Sequence, residues 1–253
     1  MFTDTHTHIY DEKLLADPNQ IHRAIDAGVT KLYMPNCDSG TVDAMLQLAD
    51  SWPDNCMPMM GLHPTYVNES YETELASVEA WLAKRKFYGV GEIGLDYYWD
   101  LTFKEQQIDA FERQIELALK YDLPIIIHSR ESTADCIDIV RKKQNGKLRG
   151  IFHCFGGTLE EAQQITELGF YMGIGGVVTY KTSNLPEILK QIGLTHIVLE
   201  TDAPYLAPVP YRGKRNESSY IPVIAQKIGD IMGISAEKVG ETTTANAALL
   251  FRA

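Results

Sequence analysis

No apolar run in this chain approaches the roughly 18 residues that a helix needs to cross a bilayer. The opening Met1-Phe2-Thr3-Asp4-Thr5-His6 has neither the basic start nor the apolar core of an export signal, so the cytoplasm is the expected location. Basic residues are scarce. Twenty-three Lys and Arg stand against 34 Asp and Glu, a formal net charge of −11 with His neutral. That field repels phosphate and opposes non-specific nucleic-acid binding, so a polyanionic substrate would need a local exception, either a basic loop or bound metal ions. Cysteine is limited to Cys37, Cys56, Cys136 and Cys154, which fit no CxxC or zinc-ribbon spacing and read as free thiols. Gly/Ser linkers, low-complexity tracts and blocks of like charge are missing too. With 45% hydrophobic and 23% charged residues the composition is ordinary for a globular protein. Residues 1–253 therefore read as a single domain, since a barrel of the β/α type commonly fills about 250 residues.

What is present is a steady alternation. Short β-branched or apolar runs predict strands at Phe2–Ile9, Lys31–Asn36, Met57–Leu62, Tyr88–Gly94, Pro124–His128, Gly150–Cys154, Phe170–Ile174 and His196–Glu200. Amphipathic stretches lie between them. Ile108, Phe111, Ile115, Ala118 and Leu119 keep to one helical face, and Thr102 with Glu105 and Thr158 with Glu161 have capping-box spacing. Gly28, Gly169 and Gly193 close helical patterns just before strands, where a left-handed residue is wanted. Ser235–Phe251 reads as a closing helix. Such alternation implies right-handed crossovers and a parallel sheet. Eight units favour an α/β fold closed into a (β/α)8 TIM barrel over an open doubly wound sheet.

The polar residues fall where such a barrel would use them. Of seven histidines, His6, His8, His63, His128 and His153 lie at or just beyond the C-terminal ends of predicted strands, and His22 and His196 fall elsewhere. Glu92 sits near the end of the fourth strand with Asp96 just after it, and Asp202 follows the eighth. In a barrel these ends converge on one mouth, where active sites are built. His6 and His8, two apart on a strand, would point to the same side. Packing alone has no reason to aim so many polar groups at one axis, so a metal site at the C-terminal mouth is expected. Four imidazoles and two carboxylates exceed one four-coordinate ion. Two divalent cations sharing Glu92 fit better, one held by His6, His8 and Asp202 and the other by His128 and His153. Asp202 would also orient water and accept its proton. Ligand chemistry admits Zn, Mn or Mg.

Other residues carry two readings each. His63, in Gly61-Leu62-His63-Pro64, is either a polar loop residue or a donor to a substrate oxygen. Glu200 is either a support for a ligand or a buried paired carboxylate, and it counts among the candidate substrate-facing groups. Pro210-Tyr211-Arg212-Gly213-Lys214-Arg215-Asn216 supplies the basic exception, with Arg130 adding another cation. A cationic run is commonly a solvated loop, but beside a metal cup Arg212, Lys214 and Arg130 become candidate phosphate holders. Tyr97, Tyr98 and Trp99 could stack on bases or merely cap the barrel mouth.

Together Asp4-Thr5-His6-Thr7-His8, Gly61-Leu62-His63-Pro64, Gly89-Val90-Gly91-Glu92-Ile93-Gly94-Leu95-Asp96-Tyr97, Ile127-His128-Ser129-Arg130, His153-Cys154-Phe155, Leu199-Glu200-Thr201-Asp202-Ala203-Pro204-Tyr205 and Tyr211-Arg212-Gly213-Lys214-Arg215-Asn216 resemble the TatD family of metal-dependent deoxyribonucleases, within the amidohydrolase-like metallo-hydrolases. The resemblance runs in order over nearly the whole chain. It implies a (β/α)8 barrel, a divalent-metal centre and 3′→5′ exonuclease action on DNA, with RNA admitted as well. It carries metal ligation onto His6, His8, Glu92, His128, His153 and Asp202, and substrate-phosphate contact onto His63. Ser218 stands where the family pattern leads one to expect proline, which questions the stiffness of that loop. Related amidohydrolases often bridge their metals with a carboxylated lysine, and Glu92 takes that place here.

Three functional classes follow. The first is a two-metal phosphodiesterase on single-stranded or frayed DNA ends, with catalytic roles for Asp202, Glu92 and His63 and no obligate protein partner. The second is a small-molecule hydrolase of a lactone, ester or cyclic amide on the same centre. The third is a metal-binding scaffold without turnover.

Overall fold

The alternation folds into eight short strands: β1 (Phe2–Asp4), β2 (Val29–Met34), β3 (Cys56–Pro58), β4 (Val90–Asp96), β5 (Ile125–Arg130), β6 (Gly150–Phe152), β7 (Tyr171–Ile174) and β8 (Ile197–Leu199). A computed structural model describes them within residues 1–252. Every strand pairing is parallel, β1 to β3 forming one arc and β4 to β8 the other. Parallel bridges from Met60, past β3, to Val90 at the start of β4, and from Thr7 to Ala203, past β1 and β8, join the two arcs. The chain is a (β/α)8 TIM barrel, and the strand ends open on one mouth. Among the described residues no helix is long and apolar enough to cross a membrane.

The strand ends differ from expectation in ways that matter for the mouth. β1 stops at Asp4 rather than Ile9, and the reason is Asp4 itself. Its fully buried carboxylate accepts from the His6 N–H (3.3 Å), the Thr201 N–H (2.9 Å) and the Thr201 hydroxyl (2.6 Å). The His6 amide thus goes to a side chain instead of a strand ladder. Burial pushes the Asp4 carboxyl up to about 7 against those donors. β4 and β5 run further than predicted, to Asp96 and Arg130, which pair with each other in register.

Among the outer helices, the one over Lys104–Tyr121 shows how the apolar stripe is broken for a purpose. Ala110, Phe111, Ile115 and Ala118 are buried against the sheet, each large apolar side chain contributing about 1.5–3 kcal/mol. Gln107 and Gln114 are buried on the same face. Gln114 accepts from the Leu62 N–H (2.7 Å) and donates to the Leu62 carbonyl (3.2 Å), while Gln107 accepts from the Asp96 N–H (2.9 Å). The helix thereby fixes the loop that carries His63 and the end of β4 at Asp96. The capping box expected at Thr102 is absent: the helix starts at Lys104, and the Thr102 N–H turns to Asp100 Oδ1 (2.8 Å). The box at Thr158 and Glu161 forms. Gly28, Gly169 and Gly193 all have positive φ, and the final helix covers Ala236–Phe251 with Ser235 as its cap.

Asp4 ties the segment bearing His6 to the one bearing Asp202. Asp4→Ala would strand buried donors on both, each costing about 1–3 kcal/mol. Urea unfolding of metal-stripped protein is expected to show a loss of about 2–4 kcal/mol, and an unchanged midpoint would remove Asp4 as the seam of the mouth.

Candidate metal centre

Glu92, only 2% exposed on β4, occupies the middle of the mouth. One of its oxygens, Oε2, lies 3.2 Å from His6 Nε2 and 3.4 Å from His8 Nε2. Those nitrogens are 3.2 Å apart, and Asp202 Oδ1 is 3.7 and 3.6 Å from them. A tetrahedron with bonds of about 2.1 Å has edges of about 3.4 Å, so His6, His8 and Glu92 match the donor spacing of one ion, while Asp202 groups with His6 and His153. The other oxygen, Oε1, faces His153 Nε2 at 2.8 Å, His128 Nδ1 at 2.9 Å and His63 Nε2 at 3.2 Å. All six expected ligands come together around Glu92, and His63 joins them.

The outward ring nitrogens decide which imidazoles can ligate. His128 Nε2 meets Asp96 Oδ2 at 2.8 Å, so it carries the proton and leaves the Nδ1 lone pair facing inward. His8 Nδ1 sits 2.9 Å from the Tyr10 hydroxyl, which itself donates to the Pro35 carbonyl, so the ring again donates outward. His153 Nδ1 faces Glu200 Oε1 at 3.5 Å, while His6 Nδ1 has no hydrogen-bond partner among the described residues. His63 is the reverse case. Its Nδ1 accepts the Thr65 N–H (3.1 Å), which fixes the ring proton on Nε2 and aims a donor into the site. Inward lone pairs against a carboxylate repel unless a proton or cation lies between them. The His/Glu/Asp cluster is therefore built to hold positive charge, and its donor set fits a divalent metal.

The electrostatics agree. Burial alone would raise Glu92, but His153, His63 and His6 hold it well below the usual carboxylate range. Burial would lower His153, yet Glu92 and Glu200 drive it well above the ordinary histidine value. Burial likewise opposes His128, and Asp96 and Glu92 raise it. Desolvation lowers His63 and pushes Asp202 up to about 6 against His153 and His8.

A cavity of about 860 Å³ opens over this cluster, lined by His63, Glu92, His128, Asp202 and Arg130 among others. Three expectations need correction. Glu200 does not reach the cavity. It is fully buried, accepts from the Cys154 N–H (2.6 Å) and lies against His153, in a slot where a Cβ on Gly173 would come within 1.9 Å of its Oε2. Arg212 and Lys214 do not line the cavity either; both are exposed, and Arg212 lies over the Tyr180 ring at 4.5 Å. Their loop is tied to the segment after β1 by Arg215, which pairs with Asp17 (2.9 Å) and donates to the Lys13 carbonyl (2.7 Å). The base of the loop is pinned without proline: the Asn216 amide donates to the Thr201 and Tyr205 carbonyls, and the buried Ser218 hydroxyl meets Thr7 Oγ1 at 3.3 Å.

Asp96 was assigned no role from the sequence. The clue lay in the strand period, because Glu92, Gly94 and Asp96 share one face of β4. Gly94, at φ +133°, is needed between them, since a Cβ there would come within 2.1 Å of the His128 carbonyl.

A family model described as TatD related DNase matches residues 3–252. A Bacillus subtilis protein named as an uncharacterized metal-dependent hydrolase, YabD, is 36% identical over 254 residues, covering 100% of this chain and 99% of its own length. A Pantoea vagans protein named 3′-5′ ssDNA/RNA exonuclease TatD is 33% identical over 239 residues, 92% of each chain. The crystal structure of the TatD homologue YJJV from Escherichia coli superposes with a TM-score of 0.93 at 28% identity, covering 100% of this chain and 98% of that one.

Asp96→Asn removes the carboxylate that sets the His128 tautomer. Metal affinity measured by titration calorimetry is expected to fall by about 10–100-fold with the circular dichroism spectrum unchanged. An unaltered affinity would show that Asp96 does not orient a ligand.

Proposed function

The chain belongs to the TatD-related DNase family, metal-dependent hydrolases, and on that footing we propose that it is a two-metal phosphodiesterase removing nucleotides from the 3′ ends of single-stranded or frayed DNA, with RNA as a further substrate. The observation that carries this reading is the division of Glu92: its two oxygens face two separate nitrogen sets, His6 with His8 and His128 with His153. A pair of divalent cations, Zn, Mn or Mg, would supply charge to polarise a phosphoryl oxygen and lower the pKa of water toward neutrality.

The chain's own residues supply the rest. Glu92, His6, His8 and Asp202 hold one side of the centre, and Glu92, His128 and His153 the other. The Asp202 carboxylate faces the cavity, where it orients the attacking water and takes its proton. His63, with its proton fixed on Nε2, donates to a phosphate oxygen. Arg130 is the one expected cation on the cavity wall and pairs with a flanking phosphate. A chain end enters a mouth of this kind more readily than a duplex interior does.

One observation favours a second reading. Arg212 and Lys214 stand away from the cavity, and Asp11 and Glu12 line it, which suits a neutral lactone, ester or cyclic amide. Salt separates the two, because oligonucleotide binding weakens steeply as salt rises and a neutral substrate barely responds.

With metal added, a 5′-labelled single-stranded oligonucleotide is expected to shorten progressively from its 3′ end. Chelator or Glu92→Gln should stop the shortening, and a rise from about 50 to 200 mM salt should suppress it. An oligonucleotide left intact by metal-loaded protein that hydrolyses a lactone would overturn the nuclease reading.

A further inference from the structure

We propose that Trp99 and Tyr98, packed around the Arg130 guanidinium, form a nucleobase-binding shelf at the rim of the cavity that seats the base beside the reacting phosphate. This deepens the nuclease reading and rests on it. The three aromatics after β4 have parted company. Tyr97 is used for packing: its hydroxyl donates to Asp135 (2.8 Å) and Lys104 lies 4.2 Å from its ring centre. Tyr98 and Trp99 stay in water, 50% and 68% exposed. Their ring planes meet at 86° with centroids 4.9 Å apart, so Tyr98 does not cover Trp99 by stacking. The Arg130 guanidinium sits 3.7 Å from the Tyr98 ring centre and 5.2 Å from that of Trp99.

Trp99 and Arg130 both line the cavity that holds Glu92 and His128. One carboxylate sets the shelf against the centre. Asp96 Oδ2 takes His128 Nε2 at 2.8 Å, while Oδ1 accepts the N–H groups of Tyr98 (3.0 Å) and Trp99 (3.2 Å). The aromatic pair is therefore one side chain away from an imidazole of the centre. A cation for the backbone beside a π-face for the base is the pairing that single-strand binders use, and it needs no particular sequence. Neither hydrolysis of a neutral lactone nor barrel closure requires an exposed indole at that place.

The test uses metal-loaded protein, oligothymidylate, and the same strand with an abasic 3′-terminal residue. Trp99→Ala is expected to raise KM on oligothymidylate by about 5- to 100-fold with kcat unchanged, Trp99→Phe to retain most of the affinity, and the abasic strand to notice neither. Equal KM values for wild type and Trp99→Ala, or the same loss on both strands, overturn the shelf while leaving the nuclease reading intact. If wild type cleaves neither strand, that reading fails by itself and fluorescence decides the shelf. Three tryptophans are present, and quenching by oligothymidylate but not by an oligomer of abasic residues, lost in Trp99→Phe, supports it. Equal quenching by both strands, or none, rejects it.

Discussion

A carboxylate buried with almost no water around it is the constraint from which the rest of this molecule follows. Glu92 can stay ionised there only if compensating charge surrounds it. Five imidazoles from four separated stretches of sequence reach its two oxygens. Such convergence demands that strand ends be held to within tenths of an ångström, and buried polar bonds between distant segments provide the hold. Asp4 locks the first strand end to the last. Asn36, also buried, accepts the Glu92 N–H at its carbonyl (2.9 Å) and donates from its side chain to the Gly61 carbonyl (2.9 Å). Both residues sit where the barrel's arcs are joined by isolated bridges rather than by full ladders, so specific side chains do what continuous β-pairing does elsewhere.

Much of this was legible because the barrel converts position along a strand into position in space. A histidine or carboxylate at a predicted strand end needed only the fold to be placed, which is why His6, His8, Glu92, His128, His153 and Asp202 could be gathered from sequence alone. What escaped depended on loop conformation or on partners without a period. Arg212 and Lys214 follow β8 closely in sequence, yet their direction is set by Arg215 reaching back to Asp17 near the other end of the chain. The early end of β1 is likewise the work of Asp4, whose side chain takes the His6 amide while it is tied to distant Thr201. Gln107 and Gln114 interrupt an apolar helical stripe, and only the loops they hold explain why. The role of His63 turned on a local detail, the Thr65 amide, that fixes its tautomer.

Charge distribution gives the site its character. The net charge of −11 would keep polyanions away, and the structure removes two of the three cations expected to counter it. Cations in the centre, with Arg130 beside them, would then form the local positive field within an acidic surface. Attraction for an anionic substrate would be concentrated at the reacting position instead of spread over the surface, so a strand would be held chiefly at its end.

In the proposed reading, orientation of the ligands and recognition of the substrate are joined through Asp96. Its two oxygens serve different masters: one fixes the ring of His128, the other gathers the amides of the aromatic loop. Movement of that loop would draw on the same carboxylate that sets the imidazole, and a base pressing the loop into place would hold the imidazole in its ligating orientation. Gly94 makes this possible by letting β5 approach so closely that no side chain fits between Glu92 and Asp96. On the proposed nuclease reading, the backbone geometry of one strand would thus couple the grip on the metal to the grip on the nucleic-acid strand, because both hang on neighbouring positions of a single face.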